Sequence, residues 1–229
     1  MAELTLVDRS GGPHAYIYGA GGHAHVVATV LEDLGIEVVG MFEDHPERSH
    51  PLSDKMLPGI VELGERVLLD HPVVLGVGDN TVRQTVAGLI GSRFLTAVHP
   101  SALIAKRVTI GTGTVVLQGS VIQHNTKLGE HVLINTSASV DHDNVIGDFA
   151  HISPNATLCG HVVVGEGSHV GAGATLLPSI RVGKWATVGA GAVVTEDVPD
   201  FATVVGVPAR VIKYSPLGDR IATRHESSG

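Results

Sequence analysis

Residues 109–144, cut into sixes, read TIGTGT, VVLQGS, VIQHNT, KLGEHV, LINTSA and SVDHDN. The second residue of each six is aliphatic: Ile110, Val116, Ile122, Leu128, Ile134 and Val140. The same cut extends back to Ala97 and forward to Ala192 without an insertion, and the sixth residue is usually Ala, Ser, Thr or Val. An amphipathic helix keeps a period of 3.6 and a half-buried strand a period of two, so neither accounts for a period of six. Short parallel strands joined by tight corners and wound as a three-sided β-helix do. One turn of such a prism takes three hexads, with the second residue inward and the small sixth residue near a corner.

Residues before Ala97 follow a different rule. AYIYGAGGHAHVVATVLEDLG is an apolar strand, a glycine-rich turn and an amphipathic helix, while EVVGMFED and PVVLGVGDN read as further strands, the latter followed by helical TVRQTVAGLI. Strands alternating with helices predict a small Rossmann-like parallel α/β domain. The expected organisation is residues 1–96 as a Rossmann-like α/β domain, 97–213 as a β-helix with a C-terminal cap, and 214–229 as a mobile tail.

Composition narrows the function. Hydrophobic residues make up 43% of the chain and aromatic ones 3%, so the core must be built from Val, Ile, Leu and Ala. A formal charge of −8 argues against a nucleic-acid partner. A single cysteine excludes a disulfide framework. No apolar run has the length of a membrane span and the N-terminus lacks a signal-peptide pattern, so a cytoplasmic protein is expected.

Two places carry chemistry. Gly19-Ala20-Gly21-Gly22-His23-Ala24 matches G-x-G-x-x-A between a strand and a helix, and Glu43 and Asp44 end the next strand where a ribose-binding acid would sit. Fewer than a hundred residues are too few for a full dinucleotide domain. One nucleotide or nucleotide-sugar fits better, its phosphates near the helix N-terminus and its sugar near His23, with Asp79 and Asn80 of the GVGDN loop as further candidates. A tight turn without any ligand is the plain alternative.

The second place is SASVDHDNVIG, residues 137–147, where His142 lies between Asp141 and Asp143 at a corner of the repeat. Eighteen residues on, Gly160 lies one coil above, about 4.8 Å away at normal strand spacing. A glycine there exposes a backbone N–H beside the imidazole, which resembles a general base next to an oxyanion site. Asp143 or Asp141 would hold the ring in one tautomer; a solvated polar corner is the alternative. The repeat histidines include no pair five residues apart of the kind hexapeptide carbonic anhydrases use, so no metal is expected. Cys159 has no adjacent acid–base pair and reads as a packed side chain rather than a nucleophile.

The combination of YGAGGHAHVV, GVGDN, INTSASVDHDNVIGDFAHISPNATLCG, VGAGATLLP, VGAGAVVTEDV and VGVPARVIK resembles the left-handed β-helix acyltransferases of sialic acid O-acetyltransferase type. Within them it is similar to N-acetyltransferases acting on nucleotide-linked 4-amino-4,6-dideoxysugars, over nearly the whole chain to about Lys213. The resemblance implies acetyl-CoA as co-substrate and a GDP-, UDP- or dTDP-linked amino sugar as acceptor, with GDP-perosamine favoured and a place in lipopolysaccharide O-antigen synthesis. It implies His142 as general base and Asp143 as its orienting acid, where several relatives have Glu. It further implies Asn135 and His151 in the acetyl pocket, the Gly160 amide on the thioester carbonyl, and Ala172 and Ala190 along the pantetheine arm. Lys184, Arg210 and Lys213 are candidates for the CoA phosphates. A homotrimer with acetyl-CoA between subunits is also implied. Spacing agrees: Thr136, Pro154, Ala172 and Ala190 share a corner edge distinct from that of His142, Gly160 and Pro178, and two chains could bring the edges together. Sugar O-acetylation and non-catalytic nucleotide-sugar binding remain open alternatives.

Overall fold

The computed structural model describes residues 13–43, 56–57, 72–90 and 93–215. In the N-terminal part, β1 (His14–Tyr18), β2 (Glu37–Phe42), β3 (Met56–Leu57) and β4 (Val73–Leu75) form a parallel sheet in the order β3-β2-β1-β4. α1 (Gly22–Asp33) follows β1, and α2 (Asn80–Ile90) follows β4. Asp79 starts α2 by accepting the amides of Thr81 and Val82, both at 2.9 Å, which satisfies two orphan helix donors.

From Ala97 the chain forms two-residue strands at each hexad start, stacked in three parallel sheets. Each residue pairs with the one eighteen positions on, as in Leu133 with His151 and Ser139 with Thr157. The first face carries the strands beginning at 97, 115, 133, 151, 169 and 187; the second, those at 103, 121, 139, 157, 175 and 193; the third, those at 109, 127, 145, 163 and 181. The fold is the three-sided β-helix expected from the repeat, with the left hand that the resemblance implies.

The second residues of the hexads fill the prism: Val116, Ile122, Ile134, Val140, Ile152, Leu158, Val170, Leu176 and Val188 are fully buried. The sixth residues point inward too, and the polar ones bond to neighbouring carbonyls. Thr114 Oγ1 donates to Gly129 O at 2.8 Å and Thr126 Oγ1 to Asp141 O at 2.8 Å. The fifth residue of every hexad from Leu103 onward adopts a left-handed φ, even where it is Phe149 or Trp185. Such a φ is costly for a bulky L-residue, but its amide is rewarded by a carbonyl of the coil before, as in Asp143 N to His124 O at 3.0 Å.

The α/β part rests on the first face. Val115, Leu117 and Leu133 share one apolar cluster with Ala24, Val27 and Leu31 of α1. After the last hexad, residues Ala202–Val205 continue that face in parallel to Thr187–Val188, and Arg210–Tyr214 add an antiparallel strand that caps it. The rest of the expected tail, residues 216–229, lies outside the described residues, as does Asp44. No helix among the described residues is long and apolar enough to cross a membrane.

Candidate active site

His142 is the fourth residue of its hexad, at the corner between the second and third faces. Its Nδ1 lies 2.8 Å from Asp143 Oδ2, and Asn125 Nδ2 donates to Asp143 Oδ1 at 2.6 Å. Asn125 and Asp143 are both fifth residues, eighteen apart, so one coil braces the next. The hydrogen bond from Asn125, and after it that from His142, hold the Asp143 carboxyl below the usual carboxylate range. Asp141, the other candidate for the ring, accepts the His142 amide at 2.8 Å instead and shapes the turn. Asn144 completes the corner: buried, it donates to Asp141 O at 2.6 Å and accepts from Val162 N at 2.7 Å.

The imidazole lies directly against Gly160. A Cβ on that residue would stand 2.6 Å from His142 Cε1 and 2.7 Å from Nε2, so only glycine admits the ring. The Gly160 amide, like those of Ala172 and Ala190, is left without an acceptor among the described residues, whereas the amides of Thr136 and His142 are taken up by side chains. Asn135 and Asp141, third residues of their hexads, accept the amides of Thr136 and His142, each at 2.8 Å. The third residue before Gly160 N is Cys159, which has no such oxygen, and that amide has no acceptor among the described residues. His161 crosses the His142 ring edge-on with centroids 5.2 Å apart. One ligating atom each from His142, Asp143 and His161 falls within 4.8 Å of the others, although these histidines are nineteen residues apart in the chain.

A second group forms where the α/β part meets the first face. Asn135 Nδ2 lies 3.1 Å from His151 Nε2, and His151 stacks on His169 with centroids 4.7 Å apart. His169 Nε2 meets Ser153 Oγ at 2.7 Å. Burial above all, with the charges of His169, Arg83 and His23 behind it, pushes the His151 pKa down to about 3. Burial and then Arg83 lower His23 to about 4, and the same two causes lower His131 to about 4 against an opposing pull from Asp148. These histidines are therefore neutral at physiological pH.

In the unfolded chain a histidine titrates near 6.5, whereas folded His23, His131 and His151 take up protons only at about 4, 4 and 3. Between those limits the unfolded state binds more protons, so stability falls as pH drops from about 6.5 toward 4. Each group contributes up to about 1.4 kcal/mol per pH unit. Urea unfolding at pH 7.5, 6 and 5 should show this loss. A flat profile across that window contradicts neutral burial.

The remaining candidates are distributed as follows. Gly19 has φ +103° and its amide donates to Phe42 O at 2.7 Å, so backbone geometry alone calls for glycine there. Gly21 and Gly22 are exposed, with open space where a Cβ would project, at the start of α1. His23 Nε2 is buried and has no partner among the described residues. Glu43 Oε2 accepts the Ala20 amide at 3.2 Å. The Asn80 side chain is engaged inside the protein, donating to Gly167 O at 2.9 Å. Ala172 and Ala190 are exposed at the corner between the first and second faces, the edge of Thr136 and Pro154. Lys184 stands apart from the other CoA candidates: it is at the third corner, between the third and first faces, 3.5 Å from Glu166. Arg210 and Lys213 are exposed on the cap strand, and Arg210 lies 3.7 Å from Glu196. Within one chain the His142 and His151 groups occupy different corners and faces.

Comparison with known proteins draws these features together. The PglD N-terminal domain family matches residues 14–89, and the bacterial transferase hexapeptide (six repeats) family matches 143–178 and 161–196. A mutant of perosamine N-acetyltransferase from Caulobacter crescentus, solved with CoA and GDP-perosamine, superposes with a TM-score of 0.82 at 33% identity, covering 87% of this chain and 97% of that one. The chain belongs to the left-handed β-helix sugar acyltransferases. The acetyltransferase domain of PglB from Neisseria gonorrhoeae matches with a TM-score of 0.79 at 33% identity, over 87% of this chain and 99% of that one. UDP-N-acetylbacillosamine N-acetyltransferase of Bacillus subtilis (strain 168) is 38% identical over 108 residues, 44% of this chain. The aligned region spans half the length of that curated relative, and 24% of a mimivirus relative that is 30% identical.

Proposed function

We propose that this acyltransferase moves the acetyl group of acetyl-CoA directly to the C4 amine of a nucleotide-linked 4-amino-4,6-dideoxyhexose, with GDP-perosamine the favoured acceptor. The observation that carries the reading is the His142 ring, braced by Asp143 and Asn125 and laid against Gly160, whose amide lacks an acceptor. With Nδ1–H donated to Asp143, Nε2 is free to take a proton from the amine as its nitrogen attacks the thioester carbonyl. The Gly160 amide donates to the tetrahedral oxyanion. The C–S bond then breaks, and the departing CoA thiolate takes the proton back from the imidazolium.

In this reading residues 1–96 bind the nucleotide-sugar and residues 97–213 carry acetyl transfer. Gly21, Gly22 and the α1 N-terminus receive the phosphates, and His23 and His151 face the sugar. Asn135 joins His151 beside the acetyl group, while Ala172, Ala190, Arg210 and Lys213 accompany CoA. Lys184 drops out, because its corner belongs to neither edge of the groove. A cytoplasmic homotrimer supplies that groove: a rigid prism cannot fold its first-to-second corner around to its second-to-third corner, but a neighbouring subunit can present it. Service in O-antigen synthesis fits such a substrate.

The test is a panel of GDP-, UDP- and dTDP-linked amino and hydroxy sugars incubated with acetyl-CoA, following free thiol release. Release with a 4-amino sugar supports the reading; release only with hydroxyl acceptors, or none at all, refutes it. The shared groove has its own test. Mixing inactive His142→Asn chains with inactive His151→Ala chains should recover part of the wild-type rate, since one junction type then has both halves intact. Mixtures that exchange subunits yet stay as inactive as their parents rule the arrangement out.

A further inference from the structure

Arg83 on α2 is only 3% exposed, yet its hydrogen bonds reach backbone carbonyls and one amide rather than a carboxylate. Nε donates to His131 O at 3.0 Å and Nη2 to Phe149 O at 2.7 Å, on successive coils. Nη1 donates to Val77 O at 3.0 Å and Gly78 O at 3.3 Å, and Nη2 also reaches Asn80 Oδ1 at 2.8 Å. Asn80 carries the link one coil further through Gly167 O and Ser168 O. The 77–80 loop is thus pinned to three consecutive coils, two through the Arg83 guanidinium and the third through Asn80. On its other side this loop lies near the His151 imidazole, whose pKa the Gly78 backbone pulls slightly upward against burial.

A buried cation is an expensive way to attach a helix. Apolar residues of similar volume commonly serve stability as well or better. Gln84, one residue along, already ties α2 to the coil by a 3.1 Å bond to Glu166. What the planar, five-donor fork adds is a fixed height of the loop above the coil, which a lysine cannot reproduce.

We infer that Arg83 is a positioning residue for the nucleotide-sugar, holding the 77–80 loop at the distance from His151 that lets the sugar fit between His23 and His151. This inference rests on the proposed role of His23 and His151 at the sugar. Electrostatics adds a second contribution. The groups around His151 are His169, Arg83, His23, Asn135 and the Gly78 backbone; burial and then the Arg83 charge lower the pKa of His23 and His169 and contribute to lowering that of His151, while Asp79 opposes the shift at His169. Neutral imidazoles can accept hydrogen bonds from sugar hydroxyls or the amine; protonated ones cannot.

The experiment compares Arg83→Lys, Arg83→Met and a Gln84→Ala control, using GDP-perosamine and acetyl-CoA, with imidazole NMR alongside steady-state kinetics. Arg83→Lys keeps the charge but loses the fork, and should raise KM for GDP-perosamine at least tenfold while KM for acetyl-CoA stays within twofold. Arg83→Met should do the same and also move the His151 titration upward, toward its ordinary range. Gln84→Ala should change neither. Folded Arg83 variants with both KM values within twofold of wild type overturn the inference, and so does a Gln84→Ala chain with the same KM pattern, which would indicate general loosening of α2. If Arg83→Met does not fold, Arg83→Lys and the control decide. A separate result addresses the underlying reading: GDP-perosamine that leaves the His23 and His151 resonances of the wild-type protein unmoved removes these residues from the sugar site, whatever the Arg83 variants show.

Discussion

His142→Asn is expected to lower kcat by about 10²–10⁴-fold, the usual worth of a positioned general base, while leaving the fold and nucleotide-sugar binding intact. The ring contributes nothing to the prism interior, which is filled by second and sixth residues such as Val140 and Ala138. Its side chain is 48% exposed, so asparagine leaves no cavity behind. Asparagine retains a polar group near Asp143 but cannot accept the amine proton. Thermal unfolding should therefore match wild type within a few degrees while single-turnover acetyl transfer collapses. Near-normal turnover in this variant would show that another group removes the proton.

Gly160→Ala should cost about 10²-fold in kcat, comparable to a misplacement of about 1 Å at a reacting group. The substitution keeps the backbone amide, so the oxyanion donor survives. The added methyl, however, overlaps the His142 ring, with 2.6 Å to Cε1 and 2.7 Å to Nε2. Because the ring is half exposed it can swing outward, which spares stability but separates it from Asp143. Loss of rate without loss of stability is the expected signature, together with a His142 resonance that no longer responds to Asp143→Asn. A fully active Gly160→Ala enzyme would mean that the ring need not lie against this residue during transfer.

The His142–Asp143–Gly160 arrangement was legible because a solenoid turns sequence spacing into spatial distance. One coil is eighteen residues, so Gly160 had to lie beside His142. The same arithmetic reaches Asn125 from Asp143 by subtraction, so the spacing of the repeat also specifies that brace. The division of labour between the two acids was not available. Asp141 and Asp143 differ through the left-handed φ of the fifth hexad position, which turns Asp143 toward the ring and leaves Asp141 to cap the amide of His142. Charge alone makes Lys184 a CoA candidate, whereas its hexad position places it at the third corner.

By itself, the sequence determined the β-helix, its inward residues, the α/β segment before it and the corner that carries His142. Each of these depends on short-range periodicity, where every hexad repeats one local requirement and small errors do not accumulate. The tertiary structure decided the group around Arg83, in which His23, His131, His151 and His169 become neutral against a buried guanidinium. His151 and His169 are one coil apart and their stacking follows from the repeat, but His23 and Arg83 join them from α1 and α2 at separations no repeat specifies. The two pairs meet only because the apolar side of α1 covers the first face at Val115, Leu117 and Leu133. The physical reason is that docking of the α/β part is set by the shape and burial of two assembled surfaces, which exist only after both have folded.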